Sequence, residues 1–322
     1  MKYIVINAGH EWNRYCWSGV KNLGKVRYIQ DLFNKVTSRF WSRRFFRSGV
    51  FIRLFWIPYI QHVLNISSEA TTLIVYDWGP ITLSRSLIAG LRKNHPNLKI
   101  VYVFTNIVKI TGATTHNLLG TLKDDYDIVF AFDPQDAKKY GFEYSKLIYT
   151  AKLPEKNDRS YEYDIFYVGQ AKDRHEKLIE IFKDAVSAGL KCRFYIHGVP
   201  EHEQFQHNDI IYNQRLSYGE VLDYMSKSRC IVDAIQGESA GLTIKTCEAV
   251  VLDRKLITTN ENVVNEPFFK PSNILVYKKG VDLKGFMNTE LIPYTEKDRY
   301  EFSPLRLFHQ IEDKVCRKRC PN

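Results

Sequence analysis

Lys245 and Glu248, in the stretch GESAGLTIKTCEAVVLDRKLITTN (Gly237 to Asn260), stand where a chain could meet a phosphorylated ligand. The stretch opens small and polar, becomes apolar-periodic like a helix, and ends in the strand-like run Leu256–Thr259. A helix N-terminus presents unpaired N–H groups and a partial positive charge, so it attracts phosphate. Gly237, Ser239, Ala240 and Gly241 ahead of the helix would let a ligand come close to the backbone. Thr243 and Thr246 supply hydroxyls, Lys245 supplies charge, and Glu248 offers a carboxylate to ribose hydroxyls. The competing reading is an ordinary connection in which Ser239 caps a helix and Lys245 and Glu248 are exposed. The preceding strand pattern CIVDAI favours the ligand, because open α/β sheets bind ligands at the carboxyl ends of their strands.

The elements around this stretch follow one rule. KYIVINAG, TTLIVYDWG, LKIVYVFTN and DIVFAFDP are short apolar runs that read as buried strands, with KLIYTA as a fifth. A helix is predicted from about Pro80 to Lys93. The polar segment LPEKNDRSYEY breaks the pattern, and the alternation resumes with DIFYVG, HEKLIEIFKDAVSAG, KCRFYIHG, DIIYN, SYGEVLDYMSKS, CIVDAI and KLITT. Strands alternating with helices predict an α/β protein with mostly parallel sheets covered on both faces. The expected division is residues 1–152, a linker over 153–163, and residues 164–322 ending in the helical tail PLRLFHQIEDKV, with a cleft between the two domains.

Composition narrows the partners. With 322 residues, 44% hydrophobic and 25% charged, the chain is globular and long enough for two cores. The six cysteines form no CxxC pair, which argues against a zinc knuckle or a thioredoxin-like motif. No window approaches the ~20 apolar residues of a spanning helix, and Met1 to Ala8 is too short for a secretory signal, so a cytoplasmic protein is expected. The formal charge of +10 favours an anionic partner.

Part of that charge is concentrated. Between residues 32 and 68 there is no acidic residue, but Lys35, Arg39, Arg43, Arg44, Arg47 and Arg53 all occur. At about 100° per residue, Arg39, Arg43 and Arg47 line one side of a helix, and Trp41, Phe45, Ile52, Trp56 and Tyr59 lie near the other. Gly49 weakens this helix, and Pro58 is expected to end or kink it. A core helix with a solvated face would show some of these features. Together they favour an interfacial helix over about 32–60 on anionic lipid, and no nucleic-acid motif accompanies the patch.

The opening stretch resembles the donor-binding segment of GT-B glycosyltransferases, especially those of bacterial capsule and lipopolysaccharide synthesis. DIFYVGQAKDRHEKL is similar to the first strand and phosphate loop of their second domain, and IIYNQRLSYGEVLDYMSKSRCIVDA to the section flanking the base. The likeness covers roughly Asp164 to Leu275. It implies two Rossmann-like domains in GT-B architecture facing a central cleft. It also implies a nucleotide-sugar donor held by Gly169, Lys172, Arg174, Asn213, Glu238, Ser239, Gly241, Leu242, Thr243, Lys245, Thr246 and Glu248. Glu238 and Glu248 are separated by nine residues rather than the seven of the best-known retaining families, and Gln170 stands where an Arg is frequent, so inversion and retention both stay open.

The resemblance implies transfer of a sugar to a lipid-linked or surface-polysaccharide glycan, and the basic aromatic helix would hold the enzyme against the inner face of the cytoplasmic membrane. Asp125-Tyr126-Asp127 is the sole DxD, and it precedes a strand, so it reads as a strand entry; metal-independent catalysis through Lys172, Arg174 and a helix start at Gly241 is expected, with no cofactor. If the enzyme inverts, a base must take the acceptor proton. Asp77, Glu11 and His10 follow strand patterns of the first domain, and His116 lies in TGATTHN. The loop GHEWNRYCWSGVKNLGK is a candidate lid. An epimerase of the same architecture, or a membrane-bound scaffold that binds nucleotide without catalysis, would share much of this pattern.

Overall fold

The structure, a computed structural model, describes residues 2–6, 11–20, 23, 25–29, 49–51, 54–55, 57–64, 71–76, 85–108, 122–153, 161–237 and 239–319. The chain divides into two compact units, Met1–Lys146 with Leu307–Asn322, and Leu147–Arg306. The tail expected in the second domain therefore belongs with the first.

The first unit is built on β1 (Lys2–Ile6), β2 (Val26–Ile29), β3 (Thr71–Tyr76), β4 (Lys99–Phe104), β5 (Ile128–Ala131) and β6 (Glu143–Tyr144), all parallel, in the order β2-β1-β3-β4-β5-β6. β3 is buried along its whole length, its two threonines included, as befits a strand in a sheet covered on both faces. Among the described residues its longer helices are α1 (Glu11–Cys16), α2 (Ile57–Leu64), α3 (Arg85–Asn94) and α4 (Pro134–Tyr140). Ile57 and Ile60 join Leu87 and Leu91 over the sheet residues Ile4, Leu73 and Ile100 in one core. Gly90 permits the close crossing, since a Cβ there would stand 2.1 Å from Ile57 Cδ1.

Three expectations change in or just beyond this unit. Pro58 is the second residue of α2 and so does not end a helix, since its missing N–H costs nothing in a first turn, while residues 54–55 just ahead are π-helical and the expected kink is left open. The expected lid is anchored where it is described: α1 leads to Cys16 and Trp17, each 1% exposed, and Trp17 packs on Tyr76 and Phe308. KLIYTA forms no strand, because Tyr149 N–H donates to the Phe302 carbonyl (2.9 Å) instead of to a sheet neighbour. The cations of the 32–60 segment, with Trp41, Phe45, Ile52 and Trp56, lie outside the described residues.

The second unit carries β7 (Tyr163–Gln170), β8 (Cys192–His197), β9 (Ile210–Tyr212), β10 (Ser228–Asp233), β11 (Lys255–Thr258) and β12 (Ile274–Val276). All are parallel, in the order β12-β11-β10-β7-β8-β9. Its helices are α5 (His175–Ser187), α6 (Tyr218–Ser226), α7 (Ile244–Val251), α8 (Leu283–Asn288) and α9 (Glu296–Tyr300). Read from β7, the order is that of the doubly wound dinucleotide-binding fold, which reverses direction between β7 and β10. A last helix, α10 (Pro304–Arg319), returns to the first unit, where Tyr3 stacks on Phe308 and donates its hydroxyl to Glu312 (2.8 Å).

Candidate functional site

The reversal between β7 and β10 opens a gap at the carboxyl edge of the second sheet. β7 pairs with β10 only as far as Phe166↔Ile231, but stays with β8 to Gln170↔His197. The strand exits around the gap turn sharply. Lys172, Gly198, Asn213 and Gly237, after β7, β8, β9 and β10 respectively, all have left-handed backbone (φ 47, 77, 59 and 48°). Glycine adopts this at no cost, and asparagine at little. A lysine held there is strained, and such strain gathers at ligand sites.

Side chains from both sides of the gap meet. Lys172 Nζ donates to Gln236 Oε1 (2.6 Å), and a Cβ on Gly237 would lie 3.4 Å from Asp173 Oδ2. Arg174 spans the gap itself, donating to the Ala234 carbonyl (2.7 Å) and to the carbonyls of Gln170 and Ala171. Partial desolvation of the largely exposed side chain, with the neighbouring Arg174 charge and against Asp173, pushes the Lys172 ammonium below its ordinary pKa. A cation so placed gains from an anion beside it.

The second wall is α7. Its cap is Thr243, whose hydroxyl accepts from Lys245 N–H (3.1 Å), so the helix starts later than Ser239 or Gly241. Gly241 is buried and its carbonyl accepts from Asn260 Nδ2 (3.1 Å), and Leu242 is core. Ser239 N–H closes a turn onto the Gln236 carbonyl. Thr246 Oγ1 donates to Asp233 Oδ2 (3.0 Å) at the end of β10. Burial pushes the Asp233 carboxyl above its usual range, against the hydroxyls of Thr243 and Thr246 and the charges of Arg174 and Lys245.

Glu248 departs most from expectation. It has no exposed surface, and its oxygens accept from Lys245 Nζ and from Tyr218 Oη, each at 2.7 Å. It turns inward rather than toward a ribose. Asn213 is likewise engaged, accepting from Gly198 N–H (2.8 Å) and donating to the Val199 carbonyl (2.9 Å). Gly169 sits within β7, where a Cβ would fall 2.7 Å from Tyr167 Oη. The second unit therefore gathers Lys172, Arg174, Thr243, Lys245 and Thr246 around the β7–β10 gap, while Asn213 braces the neighbouring β8–β9 exits. Glu238 lies outside the described residues.

In the first unit the sheet order reverses between β1 and β3. Glu11 begins α1, the helix that follows β1. Asp77, His10 and His116 lie outside the described residues. Asp125 and Asp127 sit at the entry to β5, where Arg85 holds the first (2.8 Å) and Arg92 and Lys99 hold the second (2.9 and 3.1 Å), as befits a strand entry.

Sequence reasoning passed over Asp233, Gln236 and Tyr218. Asp233 carried a signal, an acid at the end of the apolar run CIVDAI. Tyr218 carried none, since its partner is thirty positions away.

No protein-family model and no curated protein matches the sequence. Solved structures do. AviGT4, a glycosyltransferase involved in avilamycin A biosynthesis, superposes with a TM-score of 0.56 at 10% identity, covering 98% of this chain and 97% of that one. The fold is the GT-B type. A UDP-GlcNAc 2-epimerase from Neisseria meningitidis bound to UDP-GlcNAc gives a TM-score of 0.49 at 11% identity over 98% of this chain and 100% of that one. A chain of the Gap123 glycosylation-associated complex from Streptococcus agalactiae gives 0.41 at 12% identity, covering 80% of this chain. This chain spans about half of that one, 54% of its length. At such identities the likeness speaks for the fold alone.

Proposed function

We propose that the chain is a glycosyltransferase that moves a sugar from a nucleotide-sugar donor to a lipid-linked or surface-polysaccharide glycan, of the bacterial capsule and lipopolysaccharide kind, without a catalytic metal. One observation carries the reading: the carboxyl edge of the second sheet at its reversal point, with left-handed turns, Lys172 bonded to Gln236 across it and Lys245 in the first turn of α7, near enough to Asp233 at the end of β10 for its charge to act there. A departing nucleoside diphosphate gains negative charge, and fixed cations near N–H-rich turns stabilise it. Lys172 and Lys245 are the cations assigned to that charge. Arg174 adds its charge while bracing the loop. Glu11, Asp77, His10 and His116 are the candidates for the acceptor base.

The basic aromatic segment over about 32–60 is assigned to the anionic inner face of the cytoplasmic membrane. The apolar side chains of Val50, Leu54 and Phe55, exposed at 66, 78 and 47%, support this. Among the described residues no helix is long and apolar enough to cross a membrane. A screen of nucleoside diphosphates and nucleotide-sugars by thermal unfolding tests the donor site. One base should raise Tm in step with ligand concentration, and free nucleoside diphosphate should then appear when acceptor lipid is added. No stabilisation by any diphosphate refutes the reading.

A further inference from the structure

We propose that Tyr218 is a positioning residue for anion capture, acting through Glu248 on the ammonium of Lys245. This rests on the assignment of Lys245 to donor phosphate. Glu248 is wholly buried, and a carboxylate is kept in such a place only when its oxygens find donors. One donor is Lys245, whose side chain is 14% exposed, and the other is the Tyr218 hydroxyl. The Tyr218 oxygen also lies 2.7 Å from the hydroxyl of Tyr149, which has no exposed surface.

The direction of the chain follows from proton counting. A phenol has one proton to give, and the carboxylate cannot give any. Tyr218 therefore donates to Glu248 and accepts from Tyr149. The result is a run of aligned dipoles from Tyr149 through Tyr218 to Glu248, which takes the ammonium at its end; aligned bonds of this kind reinforce one another. Tyr218 is the first residue of α6, and that helix is itself fixed by a capping box between Ser217 and Glu220. The anchor is thus rigid, and the lysine it holds is not intrinsically so.

A lysine side chain is long and loses much rotamer freedom when it is fixed. The bond to Glu248 uses one of three ammonium donors and settles the position of Nζ before any ligand arrives. Two donors remain for phosphate oxygens. Holding the lysine in place beforehand removes an ordering cost from binding. A phenylalanine would fill the same space as Tyr218, so the hydroxyl is the part that matters.

The test is calorimetric titration of the full chain with pyrophosphate, a ligand without base or ribose. Tyr218→Phe should weaken pyrophosphate about three- to tenfold, the range expected when one side chain must be ordered on binding. Glu248→Gln, which keeps the shape and removes the charge, should give a loss by a second route, and it serves if Tyr218→Phe does not fold. In a Lys245→Met background, Tyr218→Phe should cost nothing further, an outcome that a general loosening of the fold would not produce. Cooperative melting checks that each variant is folded. Folded Tyr218→Phe that binds pyrophosphate like wild type, or loses equally in both backgrounds, overturns the proposal alone. Wild-type protein that binds neither pyrophosphate nor any nucleoside diphosphate overturns the donor site and the proposal with it.

Discussion

Removing Arg174 should cost stability before it costs affinity. Its guanidinium joins the carbonyl of Ala234, just past β10, to that of Gln170, the last residue of β7, where the two strands have ceased to pair. Hydrogen bonds from a charged donor contribute ~1.5–3 kcal/mol each, and the third bond, to Ala171 at 3.4 Å, is long enough to count for little. The group is partly exposed, so water replaces some of what is lost, and about 2 kcal/mol is the net expectation for Arg174→Ala. For a unit of this size that lowers Tm by roughly 4–8 °C. Arg174→Lys keeps the charge but not the planar fork that reaches several carbonyls at once, so its Tm should fall nearly as far. Its affinity for pyrophosphate should fall less than that of Arg174→Ala, because a cation remains near the gap. Thermal unfolding of both variants, followed by titration at a temperature where each is folded, measures the two effects. An unchanged Tm in Arg174→Ala would show that the bridge does not hold the loop, and the arginine would then be a simple ligand cation.

Three further outcomes are expected. Asp127 is pushed up by burial, but the Ile100 N–H, Lys99 and Arg92 outweigh this and hold its carboxyl below the ordinary range. The stability it contributes is therefore present above about pH 4 and lost as pH falls through its lowered folded-state value. Asp127→Asn should destabilise by about 1 kcal/mol at neutral pH and flatten the acid limb of a denaturation series, and an unaltered limb would count against the pairing. Because Glu248 is turned inward, the preferred nucleoside diphosphate and its 2′-deoxy form should bind within about twofold of one another, less than the cost of one unmade hydrogen bond. A tenfold preference for ribose in competition titration would mean that a carboxylate does read the sugar. Arg39, Arg43 and Arg47 changed together to Ser should abolish most co-sedimentation with anionic vesicles at low salt, each cation contributing up to ~1 kcal/mol. Wild-type protein that ignores such vesicles would end the membrane assignment.

The sheets were legible because their strands are short apolar runs with little choice but to be buried. Ile4, Leu73, Ile100, Ile165 and Ile257 all have no exposed surface and all stood inside predicted strands. The strands that escaped notice, VRYI, EY and ILV, are two to four residues long at sheet edges, where half the backbone pairing is missing and the run is too short to show a period. The stretch Gly237–Asn260 was legible as a strand exit followed by a helix and a strand, but not as a set of side-chain partners. Small residues and a helix start can be read locally. Whether Glu248 faces a ligand or the core depends on Tyr218 and Tyr149, and no local pattern brings those residues to it.

That misreading has a physical source that bears on where an anion would sit. Where two parallel strands run apart, their terminal backbone groups lose ladder partners and must find others. Arg174 serves the carbonyls of Gln170 and Ala234, the Thr259 hydroxyl accepts from Ile235 N–H, and Asn213 serves Gly198 and Val199. Many polar residues that a nucleotide would want are thus already committed to holding the edge open. Lys172 differs from them. Its ammonium bonds a neutral amide, its backbone is held in the left-handed region, and partial desolvation of this exposed residue with the Arg174 charge, against Asp173, disfavours its charged form. Backbone strain and a cation disfavoured by its Arg174 neighbour, only partly offset by Asp173, coincide at that residue, and an arriving phosphate relieves the second of them. The donor's diphosphate should therefore be centred nearer to the β7 exit than to the helix start at Thr243. A paired comparison decides this, since Lys172→Ala should then reduce pyrophosphate affinity more than Lys245→Ala does, and the reverse order would move the diphosphate to α7.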